Sequence, residues 1–284
     1  MRNCSVVIMT RNEEKDLPEC IRSVKWSDDI VIYDSYSEDS TPQIANNFGV
    51  RIIRRPNYDN TLRYGGDESF HRNWALKNIK FYNQWIIFLD ADERLEECFF
   101  NEINNIKEET LSKFHAFSIR RKDYFMNKHL KYSQQTNSYI RLIRPEFCHF
   151  ERIINPTIVV KGHIGSLHSY INHFPFSKGL EYWIAKHNEY SSFEAKQILN
   201  EMQSINKCIK LIIKNRKNKF EINKVLKKLF YNLKGRPILR FLWLFLFKKG
   251  FLDGLVGLRF CFLMAVYEYF ISLKIIEIKQ NNKV

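Results

Sequence analysis

The chain has 284 residues, 45% hydrophobic and 27% charged, enough apolar material for a packed core and too much for wholesale disorder. Its 45 Lys and Arg against 31 Asp and Glu give a formal charge of +14. Residues 1–150 hold 22 basic and 22 acidic side chains, whereas residues 151–284 hold 23 and 9, so the excess lies wholly in the second half. That argues against a uniformly basic nucleic-acid binder and for a basic tail that meets an anionic surface.

The six cysteines stand at 4, 20, 98, 148, 208 and 261, and no two are closer than 16 residues. No CxxC pair exists to hold zinc, and a chain of this size needs no disulfide staples. The cysteines are therefore expected to be reduced and mostly buried, as in a cytoplasmic protein. Cys4–Met9 (CSVVIM) is too short an apolar run for a signal-peptide core and has the length of a buried strand.

Behind the polar stretch Thr10–Glu14, Asp16 and Glu19 have capping-box spacing, and Leu17, Ile21 and Val24 follow at helical intervals. Ile30–Tyr33 predicts a second strand, closing on Asp34 and a run of Ser, Glu, Asp and Thr. Pro42 then opens a helix through Phe48, Gly49 ends it, and Val50–Ile53 supplies a third strand. A polar loop with Gly65-Gly66 leads to a helix over Glu68–Ile79, and Trp85–Leu89 is a fourth strand running into Asp90-Ala91-Asp92-Glu93. Continuous apolar strands alternating with helices indicate a parallel sheet covered on both faces, a Rossmann-like α/β sandwich. The polar clusters follow strand C-termini, where open α/β sheets bind ligands.

From about Ala116 to Gly165 short β-like runs (Tyr139–Ile143, Ile158–Val160) with many aromatics predict a mixed extension and a substrate-facing loop. Residues 178–234 read as helical, with Ile222, Val225, Leu226, Leu229, Phe230 and Leu233 on one face. Lys207 to Lys249 contains 14 Lys and Arg and a single acid, Glu221. Gly235-Arg236-Pro237 breaks the chain before the apolar Ile238–Phe247, and residues 254–273 are apolar except for Arg259 and Glu268. Twenty residues are long enough to span a bilayer. Arg259 and Glu268, however, fall on opposite sides of a helix at roughly 100° per residue, so one protected stripe cannot hold both. In-plane interfacial helices with lysines on headgroups are the preferred reading; packing as core and a true span are the alternatives.

Asp90 and Asp92, one residue apart at the end of a buried strand, are the leading chemical pair. Extended geometry points both the same way, and hard carboxylate oxygens there suit Mg²⁺ or Mn²⁺ shared with a diphosphate. A solvated acidic turn that starts a helix is the plain alternative. An aspartyl-nucleophile phosphatase would carry its acid pair after the first strand, so that reading is set aside. Thr10–Glu13, Asp34 and Arg72-Asn73 fall at or near the same sheet edge. Singly each has an ordinary role as cap, turn former or solvated charge; together with the acid pair they form a nucleotide-site pattern. His163, His168 and His173 stand at five-residue steps that align on neither a helix nor a strand face, which argues against zinc. His173 and His187 read as acceptor-side residues or as satisfied histidines of a packed interface.

The segments SVVIMTRNE, IVIYDSYSEDST, HRNWAL and WIIFLDADERL, in this order and spacing, resemble family 2 glycosyltransferases of the GT-A fold. The closest resemblance is to the bacterial lipopolysaccharide-core β-glucosyltransferase group, strong over residues 1–120 and extending to GHIGSLHSYINHFPFSKGLEYWIAKHNEYSSFEA and RFLWLFLFKKGFLDG. It implies a nucleotide-sugar donor, UDP-sugar being the first guess, a divalent cation (Mg or Mn), and inversion at the anomeric carbon. By the same analogy Thr10, Asn12 and Glu13 line the nucleoside site, with Asp34 by the base or ribose. Arg72, with Asn73 beside it, approaches the diphosphate or base, Asp90 faces ribose and metal, and Asp92 binds the metal. Similar enzymes often carry a Val-His-Glu triplet where this chain has Ile154-Asn155-Pro156. Either another acid takes the acceptor's proton, with Glu151 first and Asp123 second, or the branch differs in acceptor geometry or has lost activity. For Glu151 a surface charge paired with Arg152 or a neighbour is the alternative.

The expected organisation is a GT-A catalytic domain over 1–177 (nucleotide half about 1–120, acceptor side about 121–177), a basic amphipathic helical region over 178–234, and apolar membrane-interfacial segments over 235–284. The acceptor is expected to be a lipid-linked saccharide or a lipopolysaccharide or polysaccharide, met at the cytoplasmic face of the bacterial inner membrane by a peripheral protein. Nucleic acid is not an expected partner: the lysine-rich segment lacks a recognition motif and runs into apolar stretches. A sugar nucleotidyltransferase would open with a glycine-rich loop after its first strand, and TRNEE has no glycine.

Overall fold

The computed structural model describes residues 4–56, 67–134, 136–152, 156–201, 222, 225, 226, 229–233 and 235–281. The chain forms two compact units, Met1–Lys131 with Gln135–Leu180, and Tyr132–Gln134 with Glu181–Val284.

The first unit begins with β1 (Ser5–Thr10), α1 (Leu17–Ser23), β2 (Ile30–Asp34), α2 (Thr41–Asn47), β3 (Arg51–Arg54), α3 (Glu68–Asn78) and β4 (Ile86–Asp90). The remainder is β5 (Glu93–Leu95), α4 (Cys98–Asn105), α5 (Glu108–Leu111), β6 (Ala116–Phe125), β7 (Lys128–His129), β8 (Thr136–Ile143), β9 (Cys148–Glu151), β10 (Thr157–Val160) and β11 (Ile164–His173). The main sheet runs β3-β2-β1-β4-β8-β6-β11-β5, with β7 paired to β6, while β9 and β10 form a separate antiparallel pair. Strands β3, β2, β1 and β4 are mutually parallel; β8 turns the sheet antiparallel between β4 and β6.

Alternation along the strands sends side chains to two cores. Val6, Ile8, Ile32, Ile87 and Leu89 pack with Leu17, Cys20 and Ile21 of α1 and with Phe99 and Ile103 of α4. Val7, Val31, Tyr33, Ile86 and Phe88 pack on the other face with Ala75 of α3. Each such fully buried aliphatic or aromatic side chain contributes roughly 1.5–3 kcal/mol relative to exposure. The α/β sandwich expected from the sequence is thus present, with helices on both faces.

Two local expectations change. Asp16 does stand at the start of α1 but makes no side-chain cap bond; it is buried and accepts from Ser177 and Arg94 instead. The extension after residue 116 is built from long strands: β6 and β11 each cover ten residues and pair in parallel.

The second unit is helical: α6 (Leu180–Glu201), α7 (Arg236–Leu242) continuing through a π-helical turn at Trp243–Phe247, a 3-10 turn at Gly250–Asp253, and α8 (Gly254–Asn281). The apolar stretch predicted over 254–273 belongs to this longer helix. Its Glu268 does not face outward alone but pairs with Arg236 of α7. Much of the basic region at 202–234 lies outside the described residues. Of its expected apolar face Val225 is buried, whereas Leu226 and Leu233 are exposed. The turn before α8 is anchored by Asp253, whose Oδ2 accepts from the backbone N–H groups of Tyr132 and Ser133 and from the Ser133 hydroxyl at 2.7–3.1 Å.

Candidate active site

Parallel register brings the predicted residues to one edge. Thr10 stands opposite Asp34, and Met9 opposite Asp90, so β1, β2 and β4 end together. Asp34 is fully buried. Its Oδ1 accepts from the Thr10 and Ser37 hydroxyls, at 2.9 and 2.5 Å, and its Oδ2 from the Ser37 amide at 3.0 Å. The carboxylate expected beside a base or ribose therefore braces the loop after β2. Asn12, at φ 56, holds the two loops together, accepting from the Glu38 amide and receiving Lys178 Nζ on its carbonyl oxygen. Glu13 pairs with the same lysine at 2.7 Å, and its amide donates to Thr41.

At the end of β4 the acid pair divides. Asp90 Oδ1 lies 2.7 Å from Arg72 Nη2, and its Oδ2 lies 3.5 Å from Arg141 Nη2. Helix α3 delivers Arg72, whose guanidinium also lies over the rings of Phe88 and Phe150 at 5.8 and 5.7 Å. Asn73, the next residue, does not reach the Asp90 edge: its amide group is spent on the backbone of Phe150, donating to O and accepting from N, both at 2.8 Å. It clamps α3 to β9.

Asp92 faces elsewhere. Its Oδ2 lies 3.6 Å from Nε2 of His173, the last residue of β11, which is opposite Asp123 on β6 and Glu93 on β5. The other ring nitrogen, Nδ1, is 2.6 Å from Asp123 Oδ1. Burial alone would lower the pKa of His173, but Asp92 and the Asp123 hydrogen bond hold it up at about 9. Asp123, the second choice for proton acceptor, is buried and forms an ion pair with Arg121, whose Nε lies 2.9 Å from Oδ1. Its carboxylate positions the imidazole and is not open to an acceptor hydroxyl.

Glu93, absent from the predicted site, lies at its centre. It is fully buried and accepts from Arg141 Nη2 at 2.7 Å, from the Tyr139 hydroxyl at 3.2 Å and from the Asp90 amide at 3.0 Å. Burial raises its pKa, opposed chiefly by Arg141. Sequence reasoning passed over Arg141, which β8 brings in by long-range pairing, and read Glu93 only as part of the acidic run after β4; His173, named as an acceptor-side residue or a satisfied histidine, is carried by β11 to Asp92. Glu151 ends β9 with its side chain 59% exposed and 3.1 Å from His149. Asn155 lies outside the described residues.

Among the described residues no three His, Cys, Asp or Glu side chains gather as a cation cage. The available protein donors are Asp92 and His173. With Nε2 deprotonated, a carboxylate oxygen and an imidazole nitrogen, the imidazole held from behind by a second carboxylate, fit a divalent cation that takes its other ligands from phosphate oxygens and water.

An uncharacterized glycosyltransferase of Rickettsia typhi is 28% identical to this chain over 214 residues, covering 71% of the chain and 70% of that protein. One of Rickettsia prowazekii is 27% identical over 214 residues with the same coverage. Among solved structures, Staphylococcus aureus TarS 1–349 aligns over 98% of this chain and 92% of its own at 16% identity and a TM-score of 0.44. Glucosyl-3-phosphoglycerate synthase from Mycobacterium tuberculosis, in complex with Mn²⁺, UDP and glucosyl-3-phosphoglycerate, aligns over 43% of this chain and 44% of its own at 19% identity and a TM-score of 0.32. Residues 5–170 match the sequence model of glycosyl transferase family 2. That match spans both halves of the main sheet and every element that carries Asp90 and Arg141, and the chain belongs to glycosyl transferase family 2.

Proposed function

We propose that the protein is an inverting hexosyltransferase that moves a sugar from a nucleoside-diphosphate sugar, with UDP-sugar as the first candidate, to a lipid-linked saccharide or a lipopolysaccharide or polysaccharide acceptor. The observation that carries this reading is the division of the acid pair, Asp90 toward Arg72 and Arg141 and Asp92 toward His173.

In this reading the loops after β1 and β2, fixed by Thr10, Asn12, Glu13 and Asp34, form the nucleoside wall. Arg72 and Arg141 hold Asp90 in place and set positive charge beside the donor's diphosphate, where negative charge grows as the sugar departs. Asp92 and His173 would hold the divalent cation, which supplies charge neutralisation for the leaving diphosphate. Asp123 fixes the ring so that Nε2 and not Nδ1 faces Asp92. Glu151 is the group assigned to take the acceptor hydroxyl's proton. Its neighbour Phe150 lies under the Arg72 guanidinium and is clamped by Asn73, which ties the end of β9 to the helix that reaches Asp90. Its exposure leaves it accessible to an incoming hydroxyl.

Release of nucleoside diphosphate from a panel of nucleotide sugars, with Mg²⁺ or Mn²⁺, tests the reading. One or two donors are expected to be hydrolysed slowly, and Asp92→Ala is expected to abolish this while the circular dichroism spectrum is retained. Full turnover by Asp92→Ala would sink the metal role, and a wild-type protein inert toward every donor would favour an inactive scaffold of the same fold. Glu151→Gln is expected to stop transfer to acceptor while sparing donor binding.

A further inference from the structure

The second unit carries an unusual surface. On α7 and its π-helical extension, Ile238, Leu239, Leu242, Trp243, Leu246 and Phe247 are all exposed, at i, i+1, i+4, i+5, i+8 and i+9, a single continuous stripe. Across the turn, Phe251, Leu252 and Leu255 are 47%, 52% and 62% exposed, and Phe262, Val266 and Tyr269 continue outward along α8. The opposite side of this helical hairpin is buried through Leu244, Phe260 and Cys261. We propose that the α7–α8 hairpin lies in the plane of an anionic lipid bilayer and holds the protein at the membrane surface.

Charge selects this occupant. Lys248 and Lys249 sit at the hairpin's tip between Phe247 and Phe251, and the chain from Lys207 to Lys249 carries 14 Lys and Arg against one Glu. Aromatic and aliphatic side chains interleaved with lysines suit the headgroup boundary, where apolar parts sink and ammonium groups stay with phosphate. An interface with a second copy would be expected to lack lysine at its centre.

The packing of α8 decides between lying in the membrane and crossing it. The helix is long and apolar enough to span by composition. One face of its second half is committed to protein, however: Ile271 and Ile275 are buried with Ala195, Ile198 and Tyr231, and Lys274 Nζ donates to Asn188 and Ser192 of α6, while Leu273 and Ile276 continue the exposed stripe. Helix α6 is a polar helix (HNEYSSFEAKQ) with no place in hydrocarbon. The part of α8 that precedes the contact with α6, from Gly254 to about residue 270, is roughly 25 Å long at 1.5 Å per residue. That falls short of the ~30 Å hydrocarbon core, and the Arg236–Glu268 pair lies within it.

The test is sedimentation of the full chain with phosphatidylcholine vesicles and with phosphatidylcholine–phosphatidylglycerol vesicles. Wild type is expected to bind the anionic vesicles, with a Trp243 fluorescence shift, and to be released by alkaline carbonate. Leu246→Gln with Phe247→Gln, both more than half exposed, is expected to weaken binding by about tenfold or more, and Lys248→Gln with Lys249→Asn to remove the preference for anionic lipid. Wild type left in the supernatant, or the Gln pair binding as wild type does, overturns the proposal. So do resistance to carbonate, which marks a span, and a dimer in light scattering that the Gln pair splits. Donor hydrolysis measured on the same samples is expected to be unchanged in the Gln pair, so failure here is separable from failure of the glycosyltransferase reading.

Discussion

The carboxylate of Asp123 lies 2.6 Å from Nδ1 of His173 on the neighbouring parallel strand and leaves Nε2 of the ring to Asp92. Three residues from three different chain segments thereby form one line, carboxylate to imidazole to carboxylate. If the line holds a divalent cation, Asp123 acts through the ring and not on the ion. Asp123→Asn is expected to weaken Mn²⁺ affinity by about 10–100-fold, as loss of a partner behind a ligand usually does. His173→Ala should cost more, because it removes a donor outright. Calorimetric titration of MnCl2 in the presence of UDP measures both, and equal affinities in Asp123→Asn and wild type would show that the ring is set by something else.

Glu93 is expected to matter for stability as well as for the site. It is fully buried and shared between Arg141 and Tyr139, and it receives the Asp90 amide. Removing its charge leaves the buried Arg141 guanidinium with only its longer contact to Asp90, at 3.5 Å, which costs more than the pair itself contributes. Glu93→Gln is expected to lower unfolding stability by roughly 3–5 kcal/mol. Replacing both partners, Glu93→Gln with Arg141→Met, should restore much of that loss, since no unpaired charge remains. Urea unfolding of the two singles and the double, read as a cycle, checks the sign of the coupling.

The parallel half of the sheet was legible because its strands are short apolar runs ending in polar clusters, and β1, β2, β3 and β4 lie within a residue or so of the predicted runs. Asp90 and Asp92 were legible as a pair for the same reason. Their separate partners were not. Arg141 and His173 reach the acids through β8 and β11, whose pairing with distant strands leaves no local trace in sequence. The backbone clamp made by Asn73 was not legible either, because its amide matches the N–H and C=O of Phe150, 77 residues along the chain. Asp16 misled for a related reason: capping spacing was right, but Ser177 and Arg94, far along the chain, outcompeted the local helix amides.

His187 predicts a pH dependence of the second unit. Its ring stacks on Trp183 with centroids 3.6 Å apart and meets the Tyr267 edge, and Nδ1 is 2.9 Å from the Trp183 carbonyl. Burial lowers its pKa to about 4, so the folded state holds it neutral. The folded value lies below the ordinary 6.5, so its contribution to stability is complete above pH 6.5 and is lost as pH falls toward 4. At pH 5 the loss is about 2 kcal/mol. His187→Phe keeps the stacking and cannot ionise, so its unfolding free energy, measured in urea, should fall less than that of wild type between pH 7.5 and 5, by about this amount. Parallel curves for the two proteins would place the ring in water.

Gly257 tests how tightly the turn before α8 is built. In an exposed helix, Gly→Ala stabilises by roughly 0.5–1 kcal/mol through backbone entropy. At Gly257 an added Cβ would lie 2.3 Å from the carbonyl oxygen of Gly250 and 2.6 Å from Cβ of Asp253. The first contact is with backbone, which cannot rotate away, and the second is with the residue whose carboxylate holds Tyr132 and Ser133. Relief requires the turn at Gly250–Asp253 to shift, so overpacking outweighs the entropy gain and Gly257→Ala should destabilise by about 1–3 kcal/mol. Gly235, before α7, has open space within 4 Å of its Cβ position and a negative φ, so Gly235→Ala serves as the control and should be neutral. Thermal unfolding of the two alanine variants separates the cases: a Gly257→Ala protein as stable as Gly235→Ala would mean that the turn is pliant and that Asp253 does not fix it.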